Sequence, residues 1–237
     1  MIKKPKLSKS GKERKLDPRG IVRGEKTRVK TARYRKSSST RWLQRQLNDP
    51  YVAAAKRDGY RSRAAYKLLE LDEKFNFLHG VKSVVDLGAA PGGWTQVAAK
   101  ECAGDVRIIG IDLLEVAPVP GATMLKMDFT TDEAEKALLD LIDGPVGLVM
   151  SDMAAATTGH QNTDYLRTIA LVELAFDFAT KVLEKNGTFI AKVFAGGTDN
   201  KLLEDVKKRF KSVRHYKPPA SRSESKETYL VAQGFLG

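Results

Sequence analysis

At 237 residues, 42% hydrophobic and 30% charged, the chain is long enough for one sizeable core and an appendage, and no apolar run reaches the roughly 18 residues of a membrane span. A single cysteine, Cys102, excludes an intramolecular disulfide and a cysteine-based metal cluster, and with no apolar leader after the basic start it points to a reducing, cytoplasmic setting. The formal charge of +12 is unevenly placed: residues 1–47 carry 17 Lys and Arg against 3 Asp and Glu, and the rest of the chain 24 against 26.

In chain order, residues 1–47 read as a basic arm that is disordered in isolation, ahead of a globular domain over 48–237. Such blocks commonly bind nucleic acid by displacing phosphate counterions. A solubilising tail is the plainer reading, and a transit peptide fits less well because amphipathic repeats are scarce. Ser37–Thr40 reads as a linker, with Trp42, Leu43 and Leu47 opening the packed body. Asp49-Pro50 predicts a helix start, and Gly59 its stop. A second helix spans 62–78 with Ser62 as cap, and places Lys67 near its N-terminal end, where the helix dipole disfavours a cation.

A short apolar strand in 81–87 then leads through Asp86 into Gly88-Ala89-Ala90-Pro91-Gly92-Gly93-Trp94 and a helix. Further strands follow at 107–113, ending near Asp112, at 122–128, ending on Asp128, and at 145–152, ending on Asp152. Helices are expected at 132–142 and 164–183, the second stopping at Asn186-Gly187. A strand over 187–194 carries Lys192, a helix starts at Thr198 or Asp199, and strands at 212–218 and 227–235 close the pattern, with Glu227 opening the last.

Alternating strands and helices predict an open, mostly parallel α/β sheet with helices on both faces, whose ligands sit at the carboxyl ends of the strands. Asp86, Asp112, Asp128, Asp152 and Lys192 all fall at such ends. The glycine-rich turn lacks the G-x-G-x-x-G spacing of a dinucleotide site; it suits a ligand with an amino-acid end and a ribose, such as S-adenosylmethionine, although a tight turn without a ligand also fits. Asp112, 24 residues after Gly88, is placed to accept ribose hydroxyls. Between Pro218 and Glu227 there is no room for a crossover helix, so the last two strands pair antiparallel. His79, His160 and His215 show no metal-ligand spacing, and no metal is expected.

The stretches DLGAAPGGW, IGIDLL, KMDF, SDMA, IAKVF and KPPASRSESKETYLVA resemble the FtsJ (RrmJ, RlmE) family of RNA 2′-O-methyltransferases over about residues 50–235. The resemblance implies a Rossmann-like, S-adenosylmethionine-dependent fold of seven mostly parallel strands with a C-terminal antiparallel hairpin. It implies a catalytic set at Lys67, Asp152, Lys192 and Glu227, and cofactor contacts at Gly88, Gly92, Trp94, Asp112, Asp128 and Asp152. It also implies methylation of a uridine ribose in large-subunit (23S) ribosomal RNA, with the 50S subunit as partner; nothing in the sequence calls for an obligate oligomer, and a monomer is expected. A tRNA or organellar rRNA substrate, or a non-catalytic RNA-binding assembly factor, are the other readings. The chain departs from the family where a proline is common and Ala155 stands. Without an aromatic platform of the RRM kind, RNA binding is expected to rest on phosphate contacts from the arm, Arg61, Arg63, Lys217, Arg222 and Lys226.

Overall fold

The computed structural model describes residue 21 and residues 27–34, 36–102, 104–155, 158–194 and 200–237. The expected disorder of the first 20 residues, and the helix start at Thr198 or Asp199, lie outside the described residues. The chain divides into two compact units, Met1–Gly59 and Tyr60–Gly237.

In the first unit, the stretch read as a linker is helical. Helix α1 spans Ser37–Asn48 and buries none of its residues. Gln44 and Asn48, one turn apart on one face, hold an extended segment against it: Asn48 Oδ1 accepts from Thr27 N at 2.7 Å and Gln44 Oε1 from Val29 N at 3.0 Å. Both side-chain amides also donate to Thr27 O. These long-range bonds support a sequence whose serines alone predict coil. Trp42 and Leu47, expected to begin the packed body, are instead 52% and 53% exposed. Helix α2, Pro50–Asp58, follows the expected pattern: Asp49 caps it through Tyr51 N at 3.0 Å, and Gly59 ends it at φ 78°.

The second unit holds strands β1 (Ser83–Leu87), β2 (Arg107–Asp112), β3 (Ala122–Lys126), β4 (Val146–Ser151), β5 (Leu183–Phe194), β6 (Phe210–Tyr216) and β7 (Glu227–Phe235). They form one sheet in the order β3-β2-β1-β4-β5-β7-β6. Only β7 runs against the others, antiparallel to both β5 and β6. Alternate residues of each strand feed two cores. Val84, Ile108, Leu148 and Ile190 pack with Leu68, Leu71, Trp94 and Val97 from helices α3 (Ala64–Phe75) and α4 (Gly93–Glu101). Val85, Ile109, Val149 and Phe189 pack with Leu138, Phe178 and Val206 from α5 (Asp132–Leu141), α6 (Gln161–Val182) and α7 (Asn200–Arg209). Two covered faces explain why the central strands read as continuous apolar runs.

Several boundaries differ from expectation: β3 stops at Lys126, so Asp128 lies two residues beyond the strand, and β6 spans Phe210–Tyr216 rather than 212–218. Helix α3 begins after Arg63 rather than at Ser62, and ends where Asp72 accepts from Phe77 N and Leu78 N, both at 2.8 Å. Helix α6 stops at Val182, before Asn186-Gly187. Leu183 is already extended and pairs with Val146, and the register shifts before Thr188 pairs with Leu148. Asn186, at φ 69°, lies inside this irregular strand. At Gly187 a Cβ would fall 2.9 Å from Glu184 O, so the glycine serves a close backbone approach within the strand.

Candidate active site

The carboxyl ends of β1, β2 and β4 and the residues after β3 surround a cleft of about 630 Å3. Gly88, Asp112 and Asp128 line it with Ile111, Leu113, Met127 and Phe129. Gly88 takes φ 79°, and its N–H and that of Ala89 bond to Ile111 O at 2.9 and 3.1 Å. A Cβ there would lie 2.7 Å from Met153 Cγ and 2.9 Å from Met153 N, so only glycine lets the loops after β1 and β4 meet.

Asp112 fixes the same loop from β2: Oδ2 accepts from Ala90 N at 2.9 Å and Oδ1 from Leu114 N at 2.8 Å. Asp128 is exposed and accepts from Thr130 N at 3.0 Å and Thr130 Oγ1 at 2.7 Å. The backbone bond, then the hydroxyl bond, hold its carboxyl below the ordinary range. Gly92 and Trp94, expected at the cofactor, are not among the cleft-lining residues. Gly92, at φ 102°, opens α4. The indole of Trp94 points into the core, donating to Ala64 O at 2.9 Å, so only its backbone is free to serve the loop.

Beneath this loop Asp86 is fully buried. Thr95 Oγ1 donates to its Oδ2 at 2.7 Å, while Oδ1 has no partner among the described residues. Burial, reinforced by Asp152 and Asp112 and opposed by the Thr95 bond, raises its pKa from 3.8 to about 7.

Beside the cleft the structure gathers all four residues expected to be catalytic. Asp152 follows β4, its N–H bonded to Leu87 O at 3.2 Å. Lys192 Nζ lies 3.2 Å from Asp152 Oδ1 and donates to Asp152 O at 2.6 Å. Lys67, projecting from α3, pairs with Glu227 at 3.2 Å. The register explains the convergence: Lys192 is directly opposite Tyr229, and Glu227, two residues earlier on β7, shares Tyr229's face.

Tyr229 is the member missed in the sequence. Fully buried, it donates to Asp152 Oδ1 at 2.8 Å, and Lys67 Nζ lies 5.6 Å from its ring centroid. It therefore touches both ion pairs. The spacing Glu227-x-Tyr229 at the start of a strand was the available signal. Burial pushes Asp152 up, but Lys192, Lys67 and the Tyr229 hydroxyl outweigh it and hold the carboxyl below its ordinary range. Burial, with Asp152 and Glu227, drives the Tyr229 phenol well above its own. The cluster thus combines an ionised carboxylate with a phenol that stays protonated.

Of the basic residues expected to meet RNA, Arg61 and Lys217 bond to loop carbonyls. The Arg61 guanidinium donates to Ala117 O and Pro118 O, both at 2.6 Å, and to Pro91 O at 3.3 Å, tying the glycine loop to the segment after β2. Lys217 donates to Ser225 O at 2.6 Å and Ser223 O at 3.2 Å, closing the turn before Glu227. Arg63 donates to Ala220 O while Glu70 accepts from Ala220 N, which fastens this turn to α3.

Residues 60–235 match the family described as FtsJ-like methyltransferase. A ribosomal RNA large subunit methyltransferase E of Erythrobacter litoralis is 63% identical over 89% of this chain and 95% of its own length. Another of that name, from Novosphingobium aromaticivorans, is 60% identical over 89% and 94%. Among solved structures, a Plasmodium falciparum chain described as a ribosomal RNA methyltransferase superposes with a TM-score of 0.68 at 33% identity, covering 75% of this chain and all of its own.

Proposed function

The chain belongs to the FtsJ-like methyltransferase family, and from that premise we propose that it transfers the methyl group of S-adenosylmethionine to the 2′-hydroxyl of a uridine ribose in large-subunit (23S) ribosomal RNA, with the assembled 50S subunit as substrate. The observation that carries this reading is the pair of ion pairs, Lys192–Asp152 and Lys67–Glu227, joined through Tyr229 beside the glycine-loop cleft.

The cleft fits the cofactor. Gly88 lets the loops after β1 and β4 close together at the cleft, Asp112 and Asp128 supply acceptors for ribose and adenine, and Met127 and Phe129 supply apolar walls. When bound, S-adenosylmethionine supplies an electrophilic sulfonium methyl. The chain's residues then bring the acceptor hydroxyl into line and accept or share its proton. Lys192 takes that part through the lone pair of its amine, Asp152 orients Lys192 Nζ, and Lys67 and Glu227 set the local charge and hold the ribose. Asp152 is joined directly to Met153, which lines the cleft. The names of close relatives, both ribosomal RNA large subunit methyltransferases, support the substrate class.

Residues 1–47, with their excess of 14 positive charges, add electrostatic affinity for RNA. Deleting residues 1–40 is expected to weaken RNA binding and flatten its salt dependence, measured by titration at several ionic strengths. The function itself is tested by transfer of labelled methyl to intact large subunits, naked rRNA and bulk tRNA, with Lys192→Ala alongside and ribose-methyl mapping of any labelled RNA. Label at a 2′-O-methyluridine in subunits, absent with Lys192→Ala, is the expected result. Label confined to tRNA would replace the substrate, and cofactor binding without any transfer would favour an RNA-binding assembly factor.

A further inference from the structure

Helix α1, Ser37–Asn48, has two unlike faces. Gln44 and Asn48 are occupied by the segment 27–29. With 3.6 residues per turn, Trp42 lies nearly opposite Gln44, and Arg45, three residues on, is its neighbour along the surface. Both are exposed, as are Arg41, Arg33 and Lys36, and Tyr34 in the turn just before the helix is 86% exposed. No acidic residue stands among Ser37–Asn48. A large aromatic surface set among guanidinium groups, with no carboxylate in its helix, has the chemistry of a platform on which a base stacks while cations hold the flanking phosphates.

We propose that the Trp42–Arg45 face of α1 is a docking surface for an unpaired nucleotide of the RNA substrate. The indole stacks on the base, and Arg45, with Arg41 beside it, neutralises the phosphates. This rests on the proposed RNA methyltransferase function, but it assigns to the first unit a contact that recognises bases as well as charge. An RNA occupant is favoured over a protein by the charge of the surrounding residues.

The chain has two tryptophans, which makes the test direct. Trp94 is buried and its indole N–H is bonded to Ala64 O, so the emission open to acrylamide comes from Trp42. The full chain is titrated with single-stranded oligouridine, an RNA duplex and naked large-subunit rRNA, following acrylamide quenching, affinity at several salt concentrations and methyl transfer. Oligouridine and rRNA are expected to shield Trp42, and the duplex to shield it less. Trp42→Ala should weaken rRNA binding roughly 5- to 100-fold with an unchanged salt slope, and Trp42→Phe should recover much of the loss. Arg45→Gln should lower the slope by about 0.7 to 0.9. Because both side chains are exposed, helical circular dichroism should match the parent. Equal affinity of Trp42→Ala and the parent would overturn the proposal. So would shielding by intact subunits without shielding by naked rRNA, which would assign the surface to a ribosomal protein. Shielding and the Trp42→Ala loss with no methyl transfer to any rRNA substrate would uphold the docking surface and remove the methyltransferase reading.

Discussion

The two sides of the proposed site, one for the cofactor and one for the acceptor, are built in opposite ways. At the cofactor side, Asp112 and Asp128 bond to backbone two residues downstream, and both carboxylates are open to the cleft. At the acceptor side, Lys67 meets Glu227 across 160 residues of sequence, Tyr229 meets Asp152 across 77 and Lys192 meets Asp152 across 40. The first side is thus set by local bonds together with the Asp112–Ala90 bond across 22 residues; the other exists only once the sheet has placed β5, β7 and α3. Substitutions should accordingly lower cofactor affinity on the first side, and transfer rate together with stability on the second.

The largest expected effect is on the acceptor side. Lys192→Ala should slow methyl transfer by about 10²- to 10⁴-fold while cofactor binding, read by calorimetry, changes little. A matching loss of cofactor affinity would mean the two sides are not separable.

Asp86 lies beneath both. Its carboxyl, at 3.8 when unfolded, is raised to about 7 in the folded chain. Between those values the folded state keeps a proton that the unfolded state has released. Its contribution to stability is therefore fully present below about pH 4 and is lost as pH rises through about 7, a fall of about 4 kcal/mol across the window. Asp86→Asn should abolish this component, so that denaturant midpoints of variant and parent diverge from pH 4 to 8, the variant becoming relatively more stable. Parallel profiles would show that Asp86 does not titrate there.

A third expectation concerns the asymmetry of one ion pair. The Lys67 side chain is 9% exposed and that of Glu227 29%. Glu227→Ala strands the buried cation, whereas Lys67→Met leaves a carboxylate that reaches water. Urea unfolding should find losses of about 3 and about 1 kcal/mol respectively; the reverse order would refute the burial argument. Smallest in stability is Asp112→Ala, which should weaken cofactor binding by about tenfold or more by freeing the Ala90 amide and removing the cleft acceptor.

The same contrast decides what could be read from the sequence. The strands from β1 to β4 and the turn at Gly88 follow from apolar runs and glycine, which act locally, and the alternation of strands and helices leads directly to the sheet. Asp152 and Lys192 stand out at strand ends, whereas Lys67 and Glu227 are marked as catalytic only by family motifs; no local pattern indicates that Lys67 meets Glu227. Tyr229 was hidden because a tyrosine in an apolar strand reads as core, and its role lies in one hydroxyl. Asn186-Gly187 misled because a left-handed residue ends a helix or kinks a strand equally well; pairing of Leu183 with Val146 settles which. Helix α1 was missed because what holds it is a pair of amides gripping residues 27–29.

The reversed strand has a consequence for biosynthesis. β7 is inserted between β5 and β6, and β6, at the sheet edge, bonds to no other described strand. A chain emerging from its N-terminus can complete the cofactor loop early, since β1, β2 and α4 precede residue 113. It acquires Glu227 and Tyr229 only when β7, made after β6, slides into its slot. The Tyr229 hydroxyl that joins the two ion pairs is thus supplied only after every residue lining the cleft, and Lys192 itself, have been made.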